Sequence, residues 1–300
     1  MMRAVALATL ALAAACRGNS SEAAQQQFDG GQALRWVEHQ VAAGPRIPGT
    51  AAHRTIGDWL EAELRQRADS VEVQRFTHVT SSGDTLPLRN FVARFQPANP
   101  SRVLLLAHWD SKPHADQDPD PAKRSLPVPG ANDGASGVAV LLGVAEALHR
   151  TRPSLGVDLL FVDGEDYGTF EGDAPDNLLG SRHFAANLPP GYRPLFAVLL
   201  DMVGDRDQQF EQEGYSLDGA PEVVERVWTT AEEIGLGRVF RPRRGIALTD
   251  DHIPLLRAGI HAIDVIDFDY PYWHTTSDTV DKVSAASLAN VGRLALALVR

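Results

Sequence analysis

The chain has 300 residues, of which 44% are hydrophobic and 22% charged, so it carries enough apolar material for a large core and is not a disordered protein. Its 28 Lys and Arg residues against 39 Asp and Glu residues leave a net charge of −11. This balance excludes nucleic acid and anionic membrane surfaces as main partners, because both bind basic protein surfaces.

The first residues are typical of an export signal. After a short basic start, residues 4–15 form an apolar run that is too short to span a bilayer. The one cysteine, Cys16, follows Leu12-Ala-Ala-Ala and resembles the lipidated cysteine of a bacterial lipobox. We therefore predict a signal peptide at 1–15, a lipidated Cys16 that begins a flexible tether at 16–29, and an exported lipoprotein on the periplasmic or outer-surface side of a bacterial envelope. The alternative is an ordinary signal peptide that is cleaved nearby.

The pattern of residues 30–300 predicts one α/β domain. Helical spacing and extended runs come first, and continuous apolar strands then alternate with helices. The predicted strands are 71–79, 89–95, 103–107, 157–162, 195–200 and 262–266. The predicted helices are 33–41, 54–67, 134–149, 178–187, 221–235, 251–258 and 284–299. This order predicts a three-layer αβα fold: a mostly parallel mixed sheet with helices on both faces and early antiparallel strands at one edge. Two long loops, 111–130 and 204–214, are predicted to wall a functional site.

Acidic side chains and one histidine stand where the predicted strands and loops end: Asp133, Glu165, Asp166, Asp201 and His274. In an open α/β sheet, ligands bind in the crevice beyond the carboxyl ends of the strands. Unpaired buried charges are costly, so carboxylates placed there need a positive partner. We predict a catalytic zinc site in which Asp133, Asp166 and His274 leave one coordination position open.

Each of these residues alone has a simpler explanation. Asp133 would be a helix N-cap, Glu165 and Asp166 a solvated acidic turn, and His274 a structural histidine. Their convergence favours the metal site, in which one carboxylate of the adjacent pair binds metal and the other exchanges a proton with the substrate. The second ring nitrogen of the histidine then needs an acceptor, and Asp278 is the predicted one.

Three further groups lie next to predicted strands or helices. His108 either binds a second metal or supports the site by hydrogen bonding, and Asp110 is predicted to orient the ligands. Asp250 and Asp251 precede a helix whose dipole accounts for one carboxylate, and we predict that the other shares a proton with Asp201. The aromatic residues after the last strand form either an apolar rim or ordinary core packing: Phe268, Tyr270, Tyr272 and Trp273.

Seven motifs, taken in order, resemble the zinc-dependent aminopeptidase family and, within it, the glutaminyl cyclase branch. They are His108-Trp-Asp-Ser111, Asn132-Asp133, Asp163-Gly-Glu-Asp166, Leu179-Gly-Ser-Arg182, Leu200-Asp201-Met-Val-Gly204, Asp250-Asp-His-Ile-Pro254 and Trp273-His-Thr275. The resemblance implies a three-layer α/β fold, zinc as cofactor and the N-termini of peptides or proteins as substrates. It also implies roles by motif: zinc ligands at Asp133, Asp166 and His274; the acid/base at Glu165; hydrogen-bonding aspartates at Asp201 and Asp250; a substrate-contacting tryptophan at Trp273.

Ligand identity does not separate the two branches of the family. The two-zinc aminopeptidases would add His108 and Asp201 as ligands, and both are present. Three features favour the cyclase branch. Asp250 stands where aminopeptidases more often have serine, Trp273 directly precedes the histidine, and Glu165-Asp166-Tyr-Gly168 resembles bacterial cyclases, with aspartate at the position of a more common glutamate.

The sequence therefore predicts a glutaminyl-peptide cyclotransferase, an acyltransferase that contains one zinc ion. The reaction would convert an N-terminal glutamine to pyroglutamate with release of ammonia. The alternatives are a two-zinc metalloaminopeptidase and a non-catalytic surface lipoprotein that binds peptide N-termini.

Overall fold

The computed structural model describes residues 28–169 and 174–300. The predicted signal peptide, Cys16 and most of the predicted tether lie outside these residues, so the lipoprotein interpretation stays a prediction. Within the two described ranges, no helix combines the length and the apolar character that a bilayer crossing requires. The extent of the catalytic domain, 30–300, likewise stays a prediction.

A six-stranded mixed sheet forms the centre of the molecule, in the order β1-β2-β4-β3-β5-β8. Its strands are β1 (Ser70–Val79), β2 (Thr85–Phe95), β3 (Arg102–His108), β4 (Gly156–Val162), β5 (Ala197–Asp201) and β8 (Ala262–Ile266). The strands β1, β2 and β4 pair antiparallel, whereas β4, β3, β5 and β8 run parallel. The predicted mixed sheet with antiparallel strands at one edge is confirmed.

Helices cover both faces of this sheet. They are α1 (Gly30–Ala42), α2 (Ala51–Arg67), α3 (Ala135–Arg150), α4 (Leu179–Ala186), α5 (Gly214–Gly219), α6 (Pro221–Glu233), α7 (His252–Arg257) and α8 (Ala285–Leu298). The strand β3 shows the two layers directly, because Val103 and Leu105 belong to one core cluster while Leu104 and Leu106 belong to another. A strand that is buried on both faces reads as one continuous apolar run, which is why β3 is recognisable in the sequence.

A small second sheet and one short helix escaped the sequence analysis. The strand β6 (Phe210–Gln212) pairs with β7 (Phe240–Arg244), and α5 lies between them in the chain. Three residues are too few for a periodic pattern, and β7 contains a proline and three arginines. The predicted loop 204–214 therefore contains β6. The predicted strand 195–200 is found at Ala197–Asp201, so Asp201 is the last residue of β5.

Candidate metal centre and catalytic cavity

Four parallel strands bring the predicted site residues to one edge of the sheet. His108 is the last residue of β3, and Asp201 is the last residue of β5. Glu165 and Asp166 follow β4, and His274 follows β8 after a short aromatic segment. Because the carboxyl ends of parallel strands lie together, residues far apart in the chain meet in one crevice.

Asp133 reaches the same crevice from the turn that precedes α3. The N-cap of this helix is Gly134, with a φ of 82° and no side-chain cap, so the N-cap interpretation of Asp133 is wrong. A Cβ at position 134 would lie 2.7 Å from the Asp110 carbonyl oxygen, so glycine is required there. The turn is held instead by Asp278, whose two carboxylate oxygens accept from the backbone N–H groups of Asn132 and Asp133 at 2.9 and 3.1 Å.

Two triplets of ligand atoms converge at this edge. The first consists of Asp133, Asp166 and His274, and the second of His108, Asp133 and Asp201; within each, all ligand atoms lie within 4.8 Å of one another. All five residues are buried, and Asp133 belongs to both triplets. The Nε2 atom of His274 lies 3.1 Å from Asp166 Oδ1 and 3.8 Å from Asp133 Oδ2. The structure thus brings together the three predicted zinc ligands.

The donor set of the first triplet fits a catalytic zinc ion. Two carboxylate oxygens and one imidazole nitrogen are hard or borderline ligands of the kind that zinc takes, and three of them leave a fourth position open. The electrostatics agree. Burial would lower the pKa of His274, yet the carboxylates of Asp166 and Asp116 raise it to about 9. A proton on His274 would thus balance part of the negative charge of the neighbouring carboxylates. Binding of a metal ion to the His274 ring would release this proton.

Two charged side chains of the loop after β3 hold the ligands of the first triplet. Asp116 Oδ1 lies 3.1 Å from His274 Nδ1, so the acceptor is Asp116, and the prediction of Asp278 for this position is wrong. The reason is that the Asp278 carboxylate is occupied by the turn at Asp133. Lys112 Nζ lies 3.3 Å from Asp166 Oδ1. Burial would raise the pKa of Asp166, but Lys112 and His274 lower it below the ordinary value.

The sequence analysis missed the roles of Lys112 and Asp116. Both lie in the loop 111–130, which was predicted to wall the site, shortly after the His108-Trp-Asp-Ser111 motif. Charges of both signs in a long, proline-rich loop next to a ligand are the signal that could have indicated them. In the described part of the chain, neither 111–130 nor the other long loop, 204–214, contributes a residue to the wall of the cavity around the metal triplet; Lys112 and Asp116 contact the ligands from outside this wall.

Asp110 positions the adjacent pair of carboxylates. Its Oδ1 accepts from the backbone N–H of Glu165 at 3.1 Å, and its Oδ2 accepts from that of Asp166 at 3.2 Å. The two side chains then diverge: the Asp166 carboxylate faces His274, whereas Glu165 Oε2 lies 3.7 Å from His108 Nδ1. Burial and the charge on Asp166 raise the pKa of Glu165 well above its ordinary value, as expected of a general acid/base.

A network of buried acids lies behind the cavity. Asp251 is the N-cap of α7 but makes no side-chain cap; its Oδ1 accepts a short hydrogen bond from the Ser181 hydroxyl. Burial and the charges on Asp201 and Asp251 raise the pKa of Asp250 well above its ordinary value. Burial and the charge on Asp250 likewise raise the pKa of Asp264, which lies on β8. Several neighbouring carboxyls therefore have raised pKa values, and the sharing of a proton between Asp201 and one of Asp250 and Asp251 stays a prediction.

These residues surround a cavity of about 280 Å³. Its lining includes Glu165, the first metal triplet, Asp201, Asp250, Phe268 and Trp273. The Trp273 ring stacks on His274 with ring centroids 4.0 Å apart. Of the four aromatic residues considered as a rim, Phe268 and Trp273 line the cavity, whereas Tyr270 is buried and donates to Asp278 at 2.7 Å. Tyr272 lies outside the cavity lining.

The backbone is strained at two points of this site. His274 and Met202 have φ values of 53° and 46°, in the left-handed region that residues other than glycine rarely adopt. Met202 directly follows Asp201, and its N–H donates to Asp201 Oδ1 at 2.8 Å. Such strain is typical of functional sites, where the surrounding structure holds side chains in place.

The sequence model of peptidase family M28 matches residues 90–299. The chain belongs to this family. A Zn-dependent exopeptidase from Parabacteroides distasonis has a similar structure, with a TM-score of 0.87 and 40% identity over 91% of this chain and 98% of that one. The glutaminyl cyclase of Bacteroides thetaiotaomicron has a TM-score of 0.87 and 38% identity over 91% of this chain and 97% of that one. Bovine glutaminyl-peptide cyclotransferase is 28% identical over 285 residues, covering 83% of this chain and 75% of the bovine protein.

These relatives confirm the predicted family resemblance, the fold and the prediction of an enzyme. They include both branches that the sequence analysis compared, namely cyclases and zinc exopeptidases. Zinc-dependent relatives and the buried ligand triplets together support zinc as the cofactor. The number of ions and the role of each residue stay predictions.

Proposed function

We propose that the protein is a zinc-dependent glutaminyl-peptide cyclotransferase that converts the N-terminal glutamine of peptides to pyroglutamate and releases ammonia. The observation that carries the proposal is one cavity that holds a metal triplet, the separate carboxylate of Glu165 and the aromatic side chain of Trp273. Similarity to glutaminyl cyclases over about nine tenths of the chain supports the same reaction.

Binding and orientation come first. Trp273 and Phe268 offer apolar surfaces against which the aliphatic part of a glutamine side chain packs. Zinc held by Asp133, Asp166 and His274 would supply a Lewis acid for the side-chain amide carbonyl. Asp116 and Lys112 keep the ligand side chains in place, as residues behind metal ligands commonly do.

Glu165 moves the proton. Its carboxylate accepts a proton from the α-amine, whose nitrogen forms a bond to the side-chain carbonyl carbon and closes a five-membered lactam. The carbon–nitrogen bond of the side-chain amide then breaks, and Glu165 returns the proton to the departing nitrogen, which leaves as ammonia. The attack is intramolecular, so the enzyme needs to orient one substrate and needs no activated water.

Asp201 and Asp250 hold the amide nitrogen during this step. Both line the cavity, and burial together with the neighbouring charge on Asp201 raises the pKa of Asp250. A carboxylate at this position accepts hydrogen bonds from the amide NH₂ of glutamine, which distinguishes glutamine from glutamate.

A two-zinc aminopeptidase is the second candidate. The observation that favours it is the second triplet, in which His108 Nε2 lies 3.1 Å from Asp133 Oδ1 and 3.2 Å from Asp201 Oδ1. In our proposal these contacts are hydrogen bonds that hold Asp133 and Asp201, and one zinc ion suffices.

A glutamine-initiated peptide separates the two functions. Cyclisation lowers the peptide mass by one ammonia and leaves the chain intact, whereas hydrolysis releases free glutamine. We expect lactam, ammonia and one zinc ion per chain. Free glutamine without lactam would establish the aminopeptidase. Purified protein that binds zinc and produces neither lactam nor free glutamine would establish the third alternative, a non-catalytic protein that binds peptide N-termini.

The cellular location is a separate proposal. We infer that residues 1–15 are a signal peptide, that Cys16 carries a lipid, and that residues 16–29 tether a catalytic domain of residues 30–300 to a bacterial membrane. The domain then meets its substrates outside the cytoplasm. Cys16→Ser should release the protein from membranes into the soluble exported fraction; membrane association that survives the substitution would contradict the anchor.

A further inference from the structure

A second groove adjoins the catalytic cavity. Leu248, Ile266 and Phe268 line both spaces, so a single layer of side chains separates them. The remaining lining of the groove is Gln209, Glu211, Glu213, Gly245, Ile246 and Asp269. A peptide whose first residue occupies the catalytic cavity would therefore place its next residue at this groove, because successive Cα atoms are about 3.8 Å apart.

The size of the groove limits what can fill it. It offers about 70 Å³, whereas one water molecule needs roughly 10–15 Å³. This is room for one side chain and too little for a helix or a strand. The groove thus has room for the side chain of a single residue.

The walls of the groove are mainly apolar. Ile246 is 56% exposed, an unusual state for a large aliphatic side chain, and it faces the same groove as Leu248 and Phe268. Two of the acidic residues are already engaged. Glu213 accepts from the backbone N–H groups of Tyr215, Ser216 and Leu248, while Glu211 pairs with Arg243.

The segment between the two spaces can also hold a peptide main chain. Ala247 and Thr249 line the catalytic cavity and are exposed. In the described part of the chain, their backbone N–H and C=O groups have no hydrogen-bond partner. Extended peptides commonly bind such free backbone groups, while their side chains enter pockets that set specificity.

We propose that this groove binds the side chain of the second residue of the peptide and selects an apolar one. The inference rests on the proposed function, since it takes the first residue to be the glutamine in the catalytic cavity. Ile246 is then a specificity-determining residue.

The test compares dipeptide amides that differ in the second residue. With the zinc-loaded wild-type protein, glutaminyl-leucine amide should exceed glutaminyl-glycine amide by about tenfold in kcat/KM, mainly through KM, because burial in an open apolar groove is a binding effect. Ile246→Ser should reduce this ratio to about threefold. Leu195→Ser is the matched control, because Leu195 is also 56% exposed but lies before β5, at the amino edge of the sheet; it should keep the ratio.

The other outcomes separate the two proposals. Lactam from both amides with equal kcat/KM, or a ratio that Ile246→Ser leaves unchanged, would overturn the subsite and leave the cyclase function standing. Faster turnover of glutaminyl-lysine amide than of the leucine compound would overturn the apolar preference, with Asp269 as the cause. No lactam from any of these amides would overturn the cyclase function, and the subsite with it.

Discussion

The two edges of the central sheet bury carboxylates in opposite ways. At the amino edge, Asp158 is fully buried and fully paired: Arg102 Nε and Nη2 donate to it at 2.7 and 2.6 Å, and the Tyr192 hydroxyl donates at 2.8 Å. Asp250, at the carboxyl edge, and Asp264, in the middle of β8, are also buried, but the charges that raise the pKa of each are those of other acids, and burial raises both pKa values further.

This difference separates a structural ion pair from a functional site. A buried carboxylate with a bidentate guanidinium partner is satisfied and has no further chemistry to do. Buried acids that lack such partners cost stability, and proteins retain them mainly where metal binding or proton transfer needs them. We therefore expect substitutions at the carboxyl edge to change activity and metal binding, and those at the amino edge to change stability.

The largest expected effect is on catalysis. Glu165→Gln should lower kcat for lactam formation by about 10³-fold, because an amide cannot accept and return the proton. Zinc content should stay at the wild-type value, since Asp133, Asp166 and His274 are unchanged. Glu225→Gln, on the exposed face of α6, is the control and should retain full activity. Retained turnover in Glu165→Gln would remove Glu165 from the mechanism.

At the amino edge, the expected effect is on folding. Arg102→Met should lower the free energy of unfolding by about 3 kcal/mol, because it leaves Asp158 buried without its bidentate partner. Urea unfolding measures the change, and kcat should be unaffected. Arg152→Met is the matched control: Arg152 is 70% exposed in its pair with Asp69, so its loss should cost less than about 0.5 kcal/mol. Equal effects of both substitutions would contradict the comparison.

An intermediate effect is expected behind the metal ligands. Asp116→Ala removes the carboxylate that lies 3.1 Å from His274 Nδ1, and zinc affinity should fall by about 10- to 100-fold. Competition with a chelator measures it. Asp120→Ala changes an exposed aspartate of the same loop that contacts no ligand and should keep wild-type affinity. Unchanged affinity in Asp116→Ala would show that the ring of His274 is held by other contacts.

Most of the sheet could be predicted from the sequence, because strands that are buried on both faces appear as continuous runs of apolar residues. The runs in β3 and β4 are mainly apolar and buried throughout, and a helix follows each strand along the chain. The strand β7 has no such apolar run, because Phe240 is its one buried residue. A contact from another element stabilises its backbone: Trp228 Nε1 donates to the Arg241 carbonyl at 3.0 Å. Tertiary contacts of this kind are not encoded in local periodicity.

The same distinction holds within the site. The predicted metal ligands lie at strand ends or at a helix start, where the fold dictates their position, and they do converge. Asp116 lies in a loop whose path depends on a distant contact: Asp118 Oδ2 accepts from the N–H and the hydroxyl of Thr276, which brings the loop to His274. No spacing rule predicts this contact, so Asp278, close to the histidine in the chain, was chosen wrongly.

The smallest expected effect is on the free energy of unfolding. It concerns an acid at the carboxyl edge that lies outside the metal triplets and, among the described residues, has no positively charged partner. Asp267 directly follows β8, and its Oδ2 accepts from the Gln209 N–H at 3.0 Å. Burial, with a contribution from Asp205, raises its pKa to about 7. An unfolded aspartate titrates near 3.9, so between about pH 4 and pH 7 the folded state binds more protons than the unfolded state, and stability falls as pH rises through this window.

Asp267→Asn keeps an oxygen that accepts from Gln209 and removes the charge at every pH. Because the carboxylate is partly hydrated and solvent screens its charge, the expected gain is modest. The variant should match the wild type in urea unfolding at about pH 3.5, below the unfolded pKa, and exceed it by about 1 kcal/mol at pH 8. A constant difference between the two proteins at both pH values would mean that the charge on Asp267 is already compensated, and the contrast between the two edges would then be confined to the cavity itself.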